Sequence, residues 1–381
     1  MSLHFIGGVL IPFFTIWGGL NFTQIMILQA WFMFWVFIFE IPSGSVADYL
    51  GRKCTLILAA IANTIAVLIY TSMPIFFIFM LGEFTWALAE ALLSGTSQAF
   101  IYDSLKMISE SETEKSKQIF GRFESFGLIG YMVSAPIGSV LAVFLGLSAP
   151  MLIMAIPFLG ALIVALTFQE PQLDPKAEKK QYLRIMREGI KYFYQNKVLK
   201  ILAFEMIAIG TIAFMMFWLY QSMLLLANIN IAYFGIIHSI ILASEIIVLN
   251  SYKKLEQLFK SKKRYLVFSG FITGAMFLIG GLSLAFAVLP LIIVSIILAI
   301  SFGMTRTPLL ISYMNKHIPS PERATVLSII NMFQTLAFII VYPLIGLSVD
   351  WSLTMTVIIL GIIGISFSLI SRVKEEYLID K

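Results

Sequence analysis

The sequence predicts an all-α integral membrane protein in which twelve transmembrane helices form two six-helix halves. Three observations support this prediction. The chain is 59% hydrophobic and only 12% charged, whereas soluble domains carry about 25% charged residues. Long segments contain no charged residue, and nearly all basic residues lie in the joints between these segments. This composition excludes a soluble enzyme, a nucleic-acid-binding domain and a disordered chain, because one core cannot bury so much apolar surface.

Segments without charge determine the expected number of helices. Each of four segments can cross a bilayer twice at ~20 residues per crossing, with a tight turn between the crossings. These segments are residues 1–39, 125–169, 206–244 and 265–305. Residues 54–102 and 324–371 follow the same pattern if a few carboxylates are tolerated. The chain is therefore expected to form six hairpins, or twelve helices.

Turn-forming residues lie near the middle of each predicted hairpin, where a short connection must reverse the chain. In chain order, these turns are Gly18–Asn21, Met73–Pro74, Leu147–Pro150, Asn228–Asn230, Val288–Pro290 and the region of Asp350. None of them contains Lys or Arg. The turns therefore form one set of connections and the basic joints form the other.

The joints hold 25 of the 26 Lys and Arg residues. They are residues 48–53, 104–122, 170–200, 251–264, 312–323 and 372–381. Basic loops remain on the cytoplasmic side of a membrane, so we expect a multi-pass plasma-membrane protein with both termini in the cytoplasm. The first span, roughly Leu3–Gly18, has no basic residue before it. We therefore expect it to be retained rather than cleaved as a signal.

The longest joint divides the chain in the middle. The expected organisation is a six-helix bundle over residues 1–169, a cytoplasmic linker over 170–198 and a second six-helix bundle over 199–381. Many transporters are built from two such related halves. Within the linker, Tyr182–Val198 has apolar residues at helical spacing. This segment is either an amphipathic helix on the inner membrane face or a solvated linker.

The joint after the second predicted helix carries a recognisable motif. Its matching residues are Gly44, Asp48, Gly51, Arg52 and Lys53. In composition and position this motif resembles the loop signature of the major facilitator superfamily, from which Tyr49 departs. Glycines permit close helix approach and a tight turn here. The resemblance covers the whole chain and implies the major facilitator fold.

Two further stretches resemble a drug-exporter-like branch of that superfamily. They are Ser94-Gly95 with Tyr102–Leu105, and Pro321–Ser328. The stretch Ala135–Ser139 only partly matches the antiporter motif of the fifth helix, and the fourth helix lacks the Arg that exporters often carry. The resemblance also implies a cytoplasmic gate, in which Asp48 faces the start of the eleventh helix and Arg52 pairs with Asp103.

Ionisable residues inside the predicted helices are candidates for proton coupling, because such residues are costly in a bilayer and usually line a cavity. Glu83 and Glu90 are seven residues apart on the fourth helix and share a face. Alternatively, they are neutral carboxyls that hold helices together. His238 and Glu245 have the same spacing on the eighth helix. They either relay protons or hydrogen-bond neighbouring helices.

Polar and aromatic residues of the first, fourth, seventh and tenth helices would line the central cavity that the resemblance implies. Arg306 either neutralises Glu90 or Glu245 there, or binds an anionic group, or extends to the headgroups. The candidate cavity residues are Trp86, Trp218, Tyr220, Gln221, Arg306, Asn331 and Gln334. Such a pocket, rich in Phe and Met, suits lipophilic substrates.

These features predict a secondary active transporter that works by alternating access, most simply a proton-coupled exporter of small lipophilic compounds. The alternative on the same fold is an ion-coupled importer or facilitator of a metabolite; a third possibility is a receptor or scaffold that transports nothing. No phosphate-binding loop or hydrolase motif occurs, so we expect no enzyme activity, catalytic residue, metal or cofactor. The expected partners are a small-molecule substrate, protons and the lipid bilayer, without nucleic acid, and the expected state is a monomer.

Overall fold

The computed structural model describes residues 2–108, 113–170, 179–319 and 322–378, and every regular element within these ranges is a helix. We number the crossing segments α1 to α12. The first half contains α1 (Phe5–Trp17), α2 (Phe22–Leu50), α3 (Arg52–Ser72), α4 (Phe76–Leu93, continued by Thr96–Ile108), α5 (Thr113–Leu145) and α6 (Ala149–Ile153 and Ala155–Thr167). A linker helix covers Lys179–Gln195.

The second half continues in the same way after the linker helix. Its segments are α7 (Lys197–Leu226), α8 (Ile231–Tyr233 and Phe234–Phe259), α9 (Lys262–Ala285), α10 (Leu289–Met304 and Arg306–Met314), and α11 with α12 (Arg323–Leu369). The predicted all-α, membrane-spanning class is confirmed.

Ten helices among the described residues are long and apolar enough to cross a membrane. Two local features reconcile this number with twelve crossings. The segment α1 consists of three short helical turns and is therefore not one long helix. The segments α11 and α12 form one continuous run of 47 residues, but Ser352 inside it has a non-helical backbone (φ −165°, ψ 111°). That break lies next to Asp350, where the sequence predicts a turn.

Capping residues explain where several helices begin. The Asn21 side chain accepts a hydrogen bond from the Gln24 amide at 2.8 Å, and the Gln24 side chain accepts one from the Asn21 amide. Asn196 starts α7 in a related way, by accepting from the amides of Val198 and Leu199. These bonds satisfy amides that a helix cannot pair internally. The predicted turn at Gly18–Asn21 therefore ends at Asn21, which caps the start of α2.

The chain divides into two compact units. The first unit comprises Met1–Lys176, Asn230–Ser239 and Tyr342–Gly346. The second comprises Ala177–Ile229, Ile240–Val341 and Leu347–Lys381. The first unit thus contains the opening segment of α8 and a short piece of α11 in addition to the first half.

Aromatic rings fill the core of the first unit at the turn ends of α1, α3 and α4. Phe13, Phe14 and Phe79 are fully buried, and their ring centroids lie 5.3 to 5.8 Å apart in edge-to-face arrangements. Trp17 stacks on Phe13 at 4.9 Å. Large rings bury much apolar area at low entropic cost and prefer such geometries. This cluster holds the irregular segment α1 against α4.

The linker helix packs on the second unit. Phe193 is buried in a cluster formed by α7, α9, α10 and α11, and it lies 5.7 Å from the Phe333 ring. The Tyr192 hydroxyl donates to the His317 carbonyl at 2.7 Å. A Cβ at Gly189 would meet the Thr325 side chain. The described end of the linker helix therefore lies against protein, in contact with α11.

Candidate transport site

The connection between α2 and α3 is formed by one glycine. Gly51 has φ 88° and ends α2, and Arg52 begins α3. Residues with a Cβ adopt such a φ only at a cost. A Cβ at this position would also lie 2.8 Å from the carboxyl carbon of Glu170. The predicted tight turn is present, and it leaves no room for a side chain.

Glu170, which was not predicted from the sequence, contacts this turn. Its carboxylate accepts hydrogen bonds from the backbone amides of Arg52 at 2.6 Å and Lys53 at 2.8 Å. These amides belong to the first turn of α3, where the helix dipole favours negative charge. Glu170 lies three residues after α6 ends at Thr167. It therefore connects the last helix of the half to the start of α3.

The ion pair between Arg52 and Asp103 that the family resemblance implies is present in the structure. Arg52 Nε lies 2.6 Å from Asp103 Oδ2, and each side chain is less than one-fifth exposed. Arg52 thus joins the start of α3 to the end of α4. Gly44 and Asp48 belong to α2, but the surroundings of Gly44 and the side chain of Asp48 lie outside what the structure describes. The contact of Asp48 with the eleventh helix stays a prediction.

The second unit repeats this carboxylate arrangement. Glu375 follows α12 and accepts hydrogen bonds at the start of α9 from the Ser261 hydroxyl (2.6 Å) and from the amides of Lys262 and Lys263 (2.9 Å each). Partial burial alone would raise the pKa of Glu375. These hydrogen bonds and the charge of Lys262 outweigh that effect and hold the pKa below its usual value. In each half, a Glu after the sixth helix caps the third helix. The carboxylates lie at different distances from their helix ends, which hides the repeat in the sequence.

Replacing Gly51 by Ala is expected to destabilise the protein by about 1–3 kcal/mol from the backbone alone, because a φ of 88° with a ψ of 157° suits only glycine. The displaced Glu170 would add to this loss. Thermal unfolding in detergent measures the effect. Gly121→Ala is the matched control, because Gly121 is helical and a Cβ there meets no atom within 4 Å. Equal unfolding temperatures for Gly51→Ala and wild type would contradict this account of the turn.

Glu83 is held inside the first unit by two neighbours. Its side chain is 4% exposed, and Oε1 accepts a hydrogen bond from Gln29 Nε2 of α2 at 2.7 Å. The Tyr70 hydroxyl of α3 also hydrogen-bonds the carboxylate. Glu83 therefore connects α2, α3 and α4. This geometry corresponds to the structural alternative considered for this residue.

Glu90 has a different environment, although it lies on the same face of α4 two turns later. Its side chain is exposed. It interacts electrostatically with Tyr131 of α5, and Trp86 lies one turn before it on α4. His4 stacks on Tyr131 with ring centroids 4.7 Å apart and lies 6.0 Å from Trp86. We call Glu90, Trp86, Tyr131 and His4 the α4 pocket.

Sequence reasoning identified two of these residues, Glu90 and Trp86, and missed His4 and Tyr131. A lone His at the start of the first span carries no local signal for a site. Tyr131 is one aromatic residue among many in an apolar helix. The packing of α1 along α5 stacks His4 on Tyr131, and the packing of α5 beside α4 places Tyr131 near Glu90.

Close backbone contacts explain the partial motif of α5. A Cβ at Gly138 would collide with the Phe5 backbone, and one at Gly235 would collide with the backbone of Ala135 and Pro136. Small residues let helices approach closely in membranes. His238, one turn after Gly235, is 3% exposed, and its ring lies near Gly7. This part of α8 belongs to the first unit.

Arg306 has a partner that sequence reasoning did not assign. It is 1% exposed, and Nη2 donates to Glu205 Oε1 of α7 at 2.7 Å. Nη1 donates to the Ser269 hydroxyl at 2.7 Å and to the Leu266 carbonyl, both on α9. Neither Glu90 nor Glu245 was the correct partner, and the side chain does not extend to the headgroups. Burial explains the pairing, because an isolated charge there would be costly.

The remaining candidates in the second unit are dispersed. Trp218, Tyr220 and Gln221 of α7 are buried, and Gln221 Nε2 donates to the Tyr220 hydroxyl at 2.9 Å. Glu245 is partly buried and Asn331 is exposed.

The side-chain amide of Gln334 lies close to Gly210 of α7, near a polar side chain of α10. A Cβ at Gly210 of α7 would meet both the Gln334 amide and the Thr307 hydroxyl of α10. Sequence reasoning missed Thr307. Among the described residues, no group of three His, Cys, Asp or Glu side chains is arranged to hold a metal ion.

Comparisons with known proteins identify the fold. The chain is similar to the crystal structure of a mutant of the nucleoside transporter NupG, with a TM-score of 0.79 and 14% identity over 97% of this chain and 95% of that one. It is also similar to a POT family transporter in complex with 5-aminolevulinic acid, with a TM-score of 0.73 and 16% identity over 99% and 93%. A D-xylose-proton symporter gives a TM-score of 0.69 and 14% identity over 100% and 96%.

The sequence comparisons identify a family but no similar curated protein. No curated protein matches the chain. Residues 2–342, which is most of the chain, match the family described as Major Facilitator Superfamily. The structural neighbours above share too little sequence to show more than the fold. The chain therefore belongs to the major facilitator superfamily and has its fold, with transmembrane helices in two six-helix halves.

Proposed function

We propose that this protein is a proton-coupled secondary transporter that exports small lipophilic cations by alternating access. The α4 pocket carries this proposal. It offers one exposed carboxylate, Glu90, beside the rings of Trp86, Tyr131 and His4. An organic cation is attracted both by a carboxylate and by aromatic faces. A proton and such a cation would therefore compete for Glu90, and this competition couples their movements in opposite directions.

The lipophilic nature of the substrate follows from the other groups near Glu90. Phe158 lies 6.2 Å from the rings of both Trp86 and His4 and is buried behind them, so the groups packed around these rings are apolar. A sugar would need a larger number of hydrogen-bonding groups that converge on it. These aromatic rings favour a flat or lipophilic substrate that carries a positive charge.

The charge distribution supports the proposed orientation. The gate residues Arg52 and Lys53 and the basic start of α9 lie in the joints that hold nearly all Lys and Arg. Basic joints remain in the cytoplasm. We therefore place both termini on the cytoplasmic side of the plasma membrane and take the working unit to be a monomer.

A second function on the same fold is import of a metabolite together with protons. The names of the similar structures favour it, because one is a nucleoside transporter and another is a D-xylose-proton symporter. In this mechanism, protonation of Glu90 would accompany substrate binding instead of opposing it. The sign of the coupling therefore separates the two functions.

Transport into proteoliposomes tests the sign of coupling. The purified protein is reconstituted with an imposed pH gradient, and potassium with valinomycin holds the membrane potential at zero. A fluorescent lipophilic cation should accumulate in the acidic compartment against its gradient, as antiport requires. Radiolabelled nucleoside and D-xylose are measured in the same vesicles. Accumulation of either metabolite in the alkaline compartment would establish symport and overturn the exporter.

A further inference from the structure

A cavity of about 760 Å³ lies in the second unit between the start of α7 and the end of α12. It is separate from the α4 pocket, which belongs to the first unit. Lys197 and Lys200 line it from α7, and Arg372 lines it just after α12. All three side chains are exposed. The cavity therefore opens at the end of the unit where the basic joints lie.

The charge of this cavity is uncompensated. None of the carboxylates that the structure describes forms an ion pair with Lys197, Lys200 or Arg372. Lys374 also lines the cavity, but it lies 3.3 Å from Glu376. Three cations therefore face a common space, and no carboxylate of the described residues pairs with them.

Among the lining residues that the structure describes, Glu205 is the acidic one, and Arg306 neutralises it through the bond described above. A bound anion would thus not be repelled by a free carboxylate. The wall favours a ligand with negative charge near the three cations.

An apolar surface continues directly from the basic residues. Phe204 lies one helical turn after Lys200 and is 62% exposed, and Ile370 is 70% exposed. The Phe204 ring lies 6.0 Å from the ring of Phe367, which lines the same cavity. Both rings belong to helices that cross the membrane. The cavity thus has a cationic end that continues into an apolar side. A lipid has the same arrangement, with a charged headgroup followed by an acyl chain.

We propose that this cavity binds one anionic phospholipid from the leaflet on the basic side. The phosphate contacts Lys197, Lys200 and Arg372, and an acyl chain covers Phe204 and Ile370. Basic pockets between transmembrane helices suit anionic headgroups, and each nearby Lys or Arg contributes about 1 kcal/mol. A free phosphate ion would use only the cations and leave the aromatic side uncovered. A lipid fits both parts of the cavity.

Lipid titrations followed by native mass spectrometry test this proposal. Wild-type protein in detergent is titrated with phosphatidylglycerol, phosphatidylcholine and inorganic phosphate. We expect one tight phosphatidylglycerol site, weaker phosphatidylcholine binding and no comparable phosphate site. The triple variant Lys197→Gln, Lys200→Gln, Arg372→Gln should bind phosphatidylglycerol about 100-fold more weakly. Phe204→Ser should weaken long-chain phosphatidylglycerol more than a short-chain form.

A second triple variant controls for charge alone. Lys191→Gln, Lys253→Gln, Lys254→Gln removes the same charge from exposed residues that do not line the cavity. It should bind phosphatidylglycerol as wild type does, and thermal unfolding without lipid should show that both triple variants remain folded. Equal losses in the two triple variants would overturn the site. Phosphate binding as tight as lipid binding would overturn the lipid as the occupant.

Discussion

Replacing Glu90 by Gln is expected to reduce pH-driven transport of a lipophilic cation to the level of protein-free liposomes. Gln has nearly the same shape as Glu. It carries no charge to hold a cation and no carboxyl group that can bind and release a proton. Glu90 is exposed beside Tyr131 and Trp86, so ligands can reach it. Initial rates in proteoliposomes under a fixed pH gradient measure the effect. Glu90→Asp keeps the charge and should retain part of the coupled rate.

Glu83→Gln is the matched control on the same helix. Its neighbours Gln29 and Tyr70 can still hydrogen-bond an amide, so the contacts among α2, α3 and α4 should persist. We expect this variant to keep most of the coupled transport. If Glu83→Gln abolished transport and Glu90→Gln did not, the coupling site would be the buried carboxylate and the α4 pocket would lose its proposed role.

The pair of Arg306 and Glu205 should produce the largest change in stability. Glu205→Leu leaves the Arg306 charge buried with only the neutral partners on α9, at an expected cost of about 3–5 kcal/mol. Arg306→Met leaves the Glu205 carboxylate buried in the same way. Chemical unfolding of the purified protein, followed by circular dichroism, measures both losses. Either single variant should unfold at clearly lower denaturant concentration than wild type.

The double variant Glu205→Leu, Arg306→Met separates pairing from packing. Replacing a buried ion pair by apolar residues of similar size is often nearly neutral, so the double variant should be more stable than either single one. If the two single losses simply added, the residues would act independently. The pairing described between α7 and α10 would then not account for the stability of this region.

Several features of this protein were predictable because they depend on neighbours along the chain. A bilayer has a set thickness, so the length of each apolar segment indicates how often the chain crosses it. The sequence predicted the breaks near Asn21 and Asp350 in this way. The turn at Gly51 was predictable for a similar reason, since one residue type tolerates its φ of 88°. The Arg52–Asp103 pair was expected only through the family resemblance.

Partners that lie far apart in the chain were not predictable. Arg306 and Glu205 are 101 residues apart, and Glu170 and Arg52 are 118 apart. Hydropathy and charge patterns contain no information on which of several carboxylates reaches a given amide or guanidinium. Glu83 and Glu90 are seven residues apart on one helix face, and this spacing suggested a shared role. In the structure, Gln29 and Tyr70 hydrogen-bond Glu83, whereas Glu90 is exposed.

Hydrophobicity and basic charge act locally against a bilayer of known thickness, so the membrane class, the number of crossings and the position of the loop between α2 and α3 could be predicted from the amino-acid sequence. Which ionisable side chains are paired and which remain accessible could not be predicted in this way. That choice depends on how helices pack, and packing sets both the cost of burying a charge and the partner available to offset it. For this reason Tyr131 lies near Glu90 and His4 stacks on Tyr131.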